Sequence, residues 1–348
     1  MEIVYILEPG SYLRRDGAAL KVLKDGSVID QIPAEGLKRL MLVGYVSLSG
    51  QVLDFLISRR VETVFVTPTG RFRARLALDE HRHVILRSAQ YLKLNDEKFS
   101  LKTAIGIVLG KVVNMYRFLL LRSRQYHDET LRITAAKLKA LQNNVQTAPN
   151  LDVVRGLEGA ATRIYFGAFK SMIRNDSFSF NGRNKRPPLD PVNAMLSFVY
   201  TLLTNEVLSA IKASGLDPYL GSLHEVSYGR PSLACDLVEE YRCFLGDRLV
   251  LGLINRKAVR PDDFIYRKPP PSEFTDEEEM KAKRPVEMKP AINRAFISAY
   301  EKMMRRRILY EPLGKEIEYR WLVMNQVRQF GRYLEDSQKG YQPFVWDN

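Results

Sequence analysis

The residues best suited to chemistry lie in one short stretch, where a histidine precedes a group of carboxylates. His224 stands in a glycine-punctuated loop, and a helix predicted to begin near Leu233 carries Asp236, Glu239 and Glu240. Residues three and four apart share a helix face, so Asp236 could act with either glutamate. One imidazole and two carboxylates can bind a divalent ion, which stabilises phosphoryl oxygens and lowers the pKa of an attacking hydroxyl or water. The alternative is a solvated acidic helix face beside a structural histidine, and spacing alone favours that alternative.

Histidine chemistry has few other candidates, because the sequence contains four histidines. His81 and His83 lie in a polar, arginine-rich stretch, and His127 lies at a predicted helix end, so exposed linker and capping roles are expected. The sequence contains no GxxxxGKS/T loop, no GxGxxG after a strand, no GxSxG and no HExxH. It therefore does not support nucleotide-loop, serine-nucleophile or zincin chemistry.

A further candidate carboxylate, Glu158, lies between Gly156 and Gly159 at the edge of a predicted apolar helix face. The small neighbours would let backbone or a ligand approach closely, although a single helical glutamate is usually solvated. Cations that could contact phosphates occur in the loops that follow, with ordinary surface charge as the alternative. These cations are Arg183, Lys185, Arg186, Arg230, Arg256 and Lys257.

The charge balance favours a polyanionic partner. Lys and Arg total 53 while Asp and Glu total 40, which gives a net charge of +13. Each phosphate neutralised by a cation releases a counterion, so nucleic acid is the first candidate partner. An anionic membrane is the second, but it usually needs a basic amphipathic helix or a lipid anchor, and the sequence shows neither. The alternative is a soluble protein that is merely basic.

Cysteine usage and the N-terminus indicate a cytoplasmic protein. The two cysteines, Cys235 and Cys243, form no CxxC pair and no disulfide framework, which fits a reducing compartment. The N-terminus shows no basic region followed by an apolar region. The longest uncharged apolar run, residues 194–203, is too short to span a bilayer and predicts a buried helix.

The hydrophobic pattern changes near residue 90 and predicts an α+β chain. Before that point, short β-like segments are separated by Asp16-Gly17 and Asp25-Gly26, which are tight-turn signals. Strands are predicted over 3–7, 18–24, 28–32, 40–43, 61–66 and 71–73, with a helix over 49–59. Helices are then predicted over 100–124, 130–143, 150–174, 191–214, 235–250 and 289–334. We therefore expect a small N-terminal β-rich domain, residues 1–88, followed by a larger all-α domain, residues 89–348.

One segment of the second domain has the composition of a loop. Residues 267–290 combine three consecutive prolines with an acidic run and then a basic run. Such a segment disfavours a packed element and predicts a mobile surface loop. We expect it to contact a partner, with a solvated connector as the alternative.

Several segments together resemble a known family. RGLEGAATRIYF at 155–166, the stretch 180–203, GLDPYLGSLHEVSYGRPSLACDLVEEYR at 215–242 and LINRKAV at 253–259 occur in the order and at the spacing of one family. This family is the CRISPR-associated spacer-acquisition integrase, called CRISPR-associated protein one. Residues 43–76 resemble its N-terminal half, so the resemblance spans nearly the whole chain. The overall character resembles the type I-C version.

The resemblance implies a small N-terminal β-domain for dimerisation and assembly, and an α-helical catalytic domain. It implies a homodimer that assembles on DNA with a small second subunit, CRISPR-associated protein two. The implied activity is the insertion of short DNA fragments, the spacers, into the CRISPR array by attack of a 3′-hydroxyl on the phosphodiester backbone. Metal-dependent DNA endonuclease activity accompanies it.

The resemblance also implies the site residues. The family's Mg²⁺ or Mn²⁺ ligands fall, position by position, on Glu158, His224 and Glu239. Asp236 becomes an orienting residue or an occasional ligand. The choice of Glu239 over Glu240 rests on the resemblance alone, and Cys235 departs from the Tyr, Leu or other apolar residue expected there. The competing hypothesis is a basic DNA-binding scaffold whose acidic cluster is structural.

Overall fold

The computed structural model describes residues 2–67, 72–76, 83–184, 187–266, 286–336, 338 and 340–346. Contacts within the chain divide it into two compact units, residues 1–81 with 263–297 and residues 82–262 with 298–348. The sequence pattern does not predict that the described residues 263–266 and 286–297 belong to the same unit as the N-terminal residues. Each unit is described by itself.

The first unit is built mainly from strands, as predicted. Its described residues up to 76 form β1 (Glu2–Ile6), β2 (Tyr12–Asp16), β3 (Ala19–Lys24), β4 (Ser27–Pro33), β5 (Leu37–Val43), β6 (Ser47–Leu48), α1 (Gly50–Ser58), β7 (Glu62–Val66) and β8 (Phe72–Leu76). One four-stranded sheet has the order β1-β5-β7-β8 and the other has the order β4-β3-β2-β6. In the first sheet β5 is parallel to β1 and β7, whereas β8 is antiparallel to β7.

Local sequence explains much of this unit. Asp25 and Gly26 both have positive φ, as a two-residue turn between antiparallel strands requires, and they join β3 to β4. Ser49 begins α1 by accepting a hydrogen bond from the Val52 N–H. Buried apolar side chains from both sheets and from α1 form one core, which includes Leu13, Leu20, Leu40, Val52 and Leu56.

The same unit includes a two-stranded antiparallel sheet, and one of its strands lies where the sequence predicted a loop. Strand β9 (Phe264–Tyr266) pairs antiparallel with β10 (Val286–Met288), and α10 begins at Pro290. Residues 267–285 lie outside the described residues. The prediction of irregular structure is therefore wrong for the last residues of 267–290. Val286 and Met288 are buried on either side of Glu287, which is the alternation of a strand.

The second unit is mainly helical. Its helices are α2 (Val84–Leu94), α3 (Glu97–Tyr126), α4 (Glu129–Gln146), α5 (Leu151–Gly167), α6 (Pro191–Ala213), α7 (Ser232–Leu237), α8 (Glu239–Tyr241), α9 (Arg248–Asn255), the end of α10 (Pro290–Met304) and α11 (Tyr319–Glu335). A π-helical segment, Arg242–Asp247, joins α8 to α9, and short 3₁₀ turns lie at Phe169–Met172, Pro261–Asp263 and Glu311–Leu313. Four side chains cap helix starts by accepting backbone N–H groups, namely Asp96, Asp128, Asn150 and Asp190.

Two helix predictions need correction. The single helix predicted over 289–334 is wrong, because β11 (Arg307–Tyr310) and β12 (Lys315–Glu318) form an antiparallel hairpin between α10 and α11. Pro312 and Gly314 explain the interruption, since proline disrupts a helix interior and Gly314 adopts a positive φ of 59°. The helix predicted over 150–174 ends at Gly167. The α+β class is confirmed, but the description of the second domain as all-α is too broad.

Among the residues that the structure describes, two helices, α3 and α6, are long and apolar enough to cross a membrane by length and composition. Of their most apolar windows, 56% and 78% are buried within the protein. Core helices of this kind pass the same test, and α6 contains the apolar run that predicted a buried helix.

Candidate active site

The Asp236 carboxylate organises the loop that carries His224. Its Oδ2 accepts hydrogen bonds from the backbone N–H groups of Ser222 at 2.7 Å and Leu223 at 3.0 Å. Its Oδ1 accepts the backbone N–H of His224 at 3.0 Å and lies 2.7 Å from the ring Nδ1 of the same residue. Asp236 is completely buried. Because Nδ1 is engaged by the carboxylate, Nε2 is the ring nitrogen left for an ion or a substrate.

This loop requires a glycine at position 221. A Cβ there would lie 2.3 Å from Asp236 Oδ2 and 2.9 Å from the backbone nitrogen of Leu233. Both distances are too short for non-bonded atoms, so a side chain at Gly221 would push the carboxylate away from the loop. The glycine-punctuated sequence before His224 is therefore the local device that allows Asp236 to approach the backbone.

A second cluster gathers two carboxylates around one ammonium group. Lys111 of α3 is 3% exposed and forms ion pairs with Glu158 of α5 and with Glu239, whose Oε2 lies 2.6 Å from the Lys111 Nζ. Arg242 lies 2.7 Å from Glu239 Oε1, and the Thr162 hydroxyl donates to Glu158 Oε1 at 3.0 Å. Sequence reasoning missed Lys111 and Arg242. The available signal was a lysine inside the apolar helical run 104–115.

The charges in this cluster compensate each other. Burial alone raises the pKa of Glu239, but Arg242, Lys111 and, more weakly, His224 outweigh it and lower the pKa to about 2. Burial lowers the pKa of Lys111, and the two glutamates more than reverse this effect, so its pKa is raised. Glu239 is therefore an anion at neutral pH although it is buried.

Glu239 and Glu240 have different surroundings. Glu240 is completely buried and accepts hydrogen bonds from the Tyr341 hydroxyl and from the Phe344 N–H at 2.7 Å. Burial raises the pKa of Glu240 to about 8. Glu239 contacts the two cations, whereas Glu240 contacts a segment that lies a hundred residues later in the sequence.

The predicted ligands form two adjacent pairs rather than one preformed ion site. Glu158 and Glu239 are joined through Lys111, and His224 is joined to Asp236. Across the described ranges, no group of three His, Cys, Asp or Glu side chains is placed to hold a metal ion. The donor types nevertheless fit a divalent ion, because an anionic carboxylate, a second carboxylate and a free imidazole nitrogen are all metal ligands. Ion binding would require Lys111 to share or release the two carboxylates.

The other predicted residues are placed unequally. Arg183 donates to Asn193 Oδ1 at 2.8 Å and to Ser197 Oγ at 3.0 Å, and its guanidinium lies 5.4 Å from the ring centroid of Tyr200. Its polar contacts are thus made within the protein. Lys185, Arg186 and His81 lie outside the described residues. The exposed residues are Arg230, Arg256, Lys257, His83 and His127, and His127 caps the end of α3.

A buried acid lies beside this cluster at the end of the π-helical segment. Asp247 is 1% exposed and accepts hydrogen bonds from the hydroxyls of Tyr165, at 2.9 Å, and Tyr200. The guanidinium of Arg242 also lies over the Tyr200 ring, 5.1 Å from the centroid of that ring. Burial raises the pKa of Asp247 to about 6, against the effect of these hydrogen bonds.

We expect Asp247→Asn to remove a pH dependence of stability. The folded-state pKa of about 6 exceeds the ordinary 3.8, so the folded protein holds this proton more tightly than the unfolded chain. The stabilisation is complete below pH 4 and is lost as the pH rises to about 6. Denaturant unfolding at pH 4 and pH 7.5 should show that the variant gains stability relative to wild type at the higher pH. Asp54→Asn removes an exposed carboxylate and should show no such change. If the free energy of unfolding changed equally between the two pH values in all three proteins, Asp247 would not be the source of the pH dependence.

Comparison with known proteins places this chain in a family. Residues 4–301 match the family described as CRISPR associated protein Cas1. CRISPR-associated endonuclease Cas1 1 of Chlorobaculum tepidum is 34% identical over 355 residues, which cover 99% of this chain and 98% of that protein. A chain of a Cas6-RT-Cas1–Cas2 complex is similar with a TM-score of 0.84 and 24% identity, over 99% of this chain and 36% of that chain. A casposase bound to integration product has a TM-score of 0.83 and 21% identity, over 100% of this chain and 95% of the casposase.

The two solved structures are similar to this chain in fold, at identities too low to transfer an activity. The family match and the Chlorobaculum relative are stronger evidence of kinship than the two structures. The family match spans most of the chain, and the relative aligns along almost its full length. The chain belongs to the family of CRISPR associated protein Cas1.

Proposed function

We propose that this chain is a Mg²⁺- or Mn²⁺-dependent DNA endonuclease and integrase of CRISPR adaptation, which inserts short DNA fragments into a CRISPR array. The observation that carries the proposal is the pair of carboxylates, Glu158 and Glu239, gathered about one cation beside the oriented imidazole of His224. Relatives named as endonucleases and a similar fold in a casposase bound to integration product support it. The type I-C subtype is part of the proposal and rests on the resemblance of the sequence.

The chemistry follows from the roles open to these side chains. Glu158, Glu239 and His224 would hold the divalent ion, which stabilises charge on phosphoryl oxygens and favours the alkoxide form of a 3′-hydroxyl. Asp236 fixes the direction of His224 through Nδ1. Phosphoryl transfer depends on positioning and charge stabilisation, so no covalent protein intermediate is required.

The proposed partners are DNA, a second copy of this chain and a small second subunit of the Cas2 type. The net charge of +13 supports DNA binding. The similar chain in a Cas6-RT-Cas1–Cas2 complex supports the second subunit. Exposed Arg230, Arg256 and Lys257 are the proposed phosphate contacts among the residues that the structure describes. The competing function is a DNA-binding scaffold. In that case the buried acidic cluster would stabilise the fold and would bind no metal.

A joining assay tests the proposal. The purified protein and its second subunit are mixed with a labelled short duplex and a plasmid that carries a CRISPR array. We expect joined products with Mn²⁺ or Mg²⁺, none with EDTA, and none when the duplex ends in 3′-dideoxynucleotides. DNA binding without cleavage or joining in either metal would favour the scaffold. Joining by dideoxy ends would exclude attack by the 3′-hydroxyl.

A further inference from the structure

A segment near the C-terminal end of the described chain lies against the helices that carry the site. Residues 340–346 have no helix or strand, yet Tyr341, Phe344 and Trp346 are buried. The Tyr341 hydroxyl donates to Glu240 Oε1, and the Phe344 N–H donates to Glu240 Oε2. The side chain next to Glu239 is thus held by this segment.

Asn114 of α3 joins the same segment to the same turn of helix. Its side-chain nitrogen donates to the Glu240 backbone oxygen at 2.9 Å and to the Phe344 backbone oxygen at 3.0 Å. Its side-chain oxygen accepts the Trp346 N–H at 2.8 Å. The three atoms that Asn114 bonds are all backbone atoms, and the Asn114 side chain is buried, with 1% of the residue exposed. One amide therefore links α3, α8 and the C-terminal segment.

Close packing reinforces these hydrogen bonds. A Cβ at Gly110 would lie 2.5 Å from the Pro343 Cβ, so the segment approaches the α3 backbone as closely as a glycine allows. The Phe344 ring lies 5.6 Å from the Phe244 ring, and the Trp346 ring lies 5.2 Å from it. The segment thus covers α8 and the π-helical segment with aromatic side chains.

The contacts of the segment run beside those of the site. Asn114 follows Lys111 by three residues on α3, and Glu240 follows Glu239 directly. The pairing of Asn114 with the Glu240 backbone therefore fixes the distance between the two helices at the point where Lys111 meets Glu239. A shift of this pairing would move the Glu239 carboxylate relative to Glu158.

We propose that residues 340–346 are a positioning element for the candidate site, and that Asn114 is its principal positioning residue. Asn114 touches neither substrate nor ion in this proposal, and it acts by holding the Glu239 turn against α3. The metal-binding consequence rests on the proposed function, whereas the local ordering of residues 239–242 does not. The two consequences can therefore be measured separately.

The test uses the full-length chain with Asn114→Ala and two comparison variants. Leu138→Ala truncates a fully buried side chain of α4 and serves as a control for general destabilisation. Glu240→Gln keeps an acceptor for the Phe344 N–H and serves as the conservative variant. Hydrogen exchange of peptides that cover 239–242 is measured without metal, and Mn²⁺ binding is measured by calorimetry, both well below the unfolding temperature.

We expect Asn114→Ala to speed exchange at 239–242 and to weaken Mn²⁺ binding by about 10- to 100-fold, as loss of a supporting contact does at other metal sites. Leu138→Ala and Glu240→Gln should leave both measurements near the wild-type values. Unchanged exchange at 239–242, or unchanged Mn²⁺ affinity despite faster exchange, would overturn the inference. If the wild-type protein binds no Mn²⁺, the proposed function fails, and the exchange result alone decides whether residues 340–346 order this turn.

Discussion

Glu239→Gln should lower Mn²⁺-dependent cleavage and joining by about a thousandfold or more, while the protein remains folded. Glutamine has the size of glutamate but lacks the charge that faces Lys111 and Arg242. Loss of a charged ligand removes several kcal/mol of transition-state stabilisation, and about 1.4 kcal/mol corresponds to a tenfold change in rate. The measurement is the single-turnover rate on a labelled DNA substrate, with circular dichroism as the test of folding.

Glu240→Gln is the matched control, since it makes the same chemical change at the next residue. Glu240 accepts hydrogen bonds from Tyr341 and Phe344, whereas the two cations pair with Glu239, so this variant should keep most of the activity. His224→Ala should behave like Glu239→Gln. Wild-type joining by a folded Glu239→Gln protein would exclude Glu239 as a ligand.

Asp236→Ala should have the largest effect on stability, a loss of about 3 to 5 kcal/mol in the free energy of unfolding. The substitution leaves two buried N–H groups, those of Ser222 and Leu223, and the partly buried N–H of His224 without their acceptor. A buried polar group without a partner costs about 1 to 3 kcal/mol. The His224 ring also loses the contact that selects its free nitrogen, so metal-dependent activity should fall even at temperatures where the variant stays folded.

Glu225→Ala provides the control for this experiment. Glu225 lies in the same loop, and its carboxylate is 3.2 Å from Arg155, but its side chain is 76% exposed. Exposed ion pairs contribute at most about 1 kcal/mol, so this variant should unfold near the wild-type guanidinium concentration. Equal unfolding midpoints for Asp236→Ala and Glu225→Ala would show that Asp236 does not hold the loop.

Local signals predicted the parts of the fold that local physics determines. The turn residues Asp25 and Gly26 act on the neighbouring backbone, so their effect is visible within a few residues of sequence. The helix predicted over 289–334 failed for a related reason. Its apolar residues fit a helical period, but Pro312 and Gly314 interrupt the helix, and a hairpin forms there.

The candidate site was less predictable because its partners are distant in sequence. Lys111 precedes Glu239 by 128 positions in the chain, and no spacing rule connects a lysine on one helix with a glutamate on another. Glu239 and Glu240 are equivalent by composition, and their difference arises from contacts with Tyr341 and Phe344. The choice of Glu239 came from family resemblance, and the prediction that it binds a metal stays a prediction.

The contacts of Asn114 also constrain how the second unit folds. Its partners Phe344 and Trp346 lie 230 and 232 residues further along the chain. Bringing such distant residues together costs loop-closure entropy, and contacts of high sequence separation slow folding. During synthesis, α3 leaves the ribosome long before these partners are made. Until then the side-chain amide of Asn114 is hydrogen-bonded to water or to transient partners. We therefore expect the helical unit to complete its folding only after residue 346 has been released.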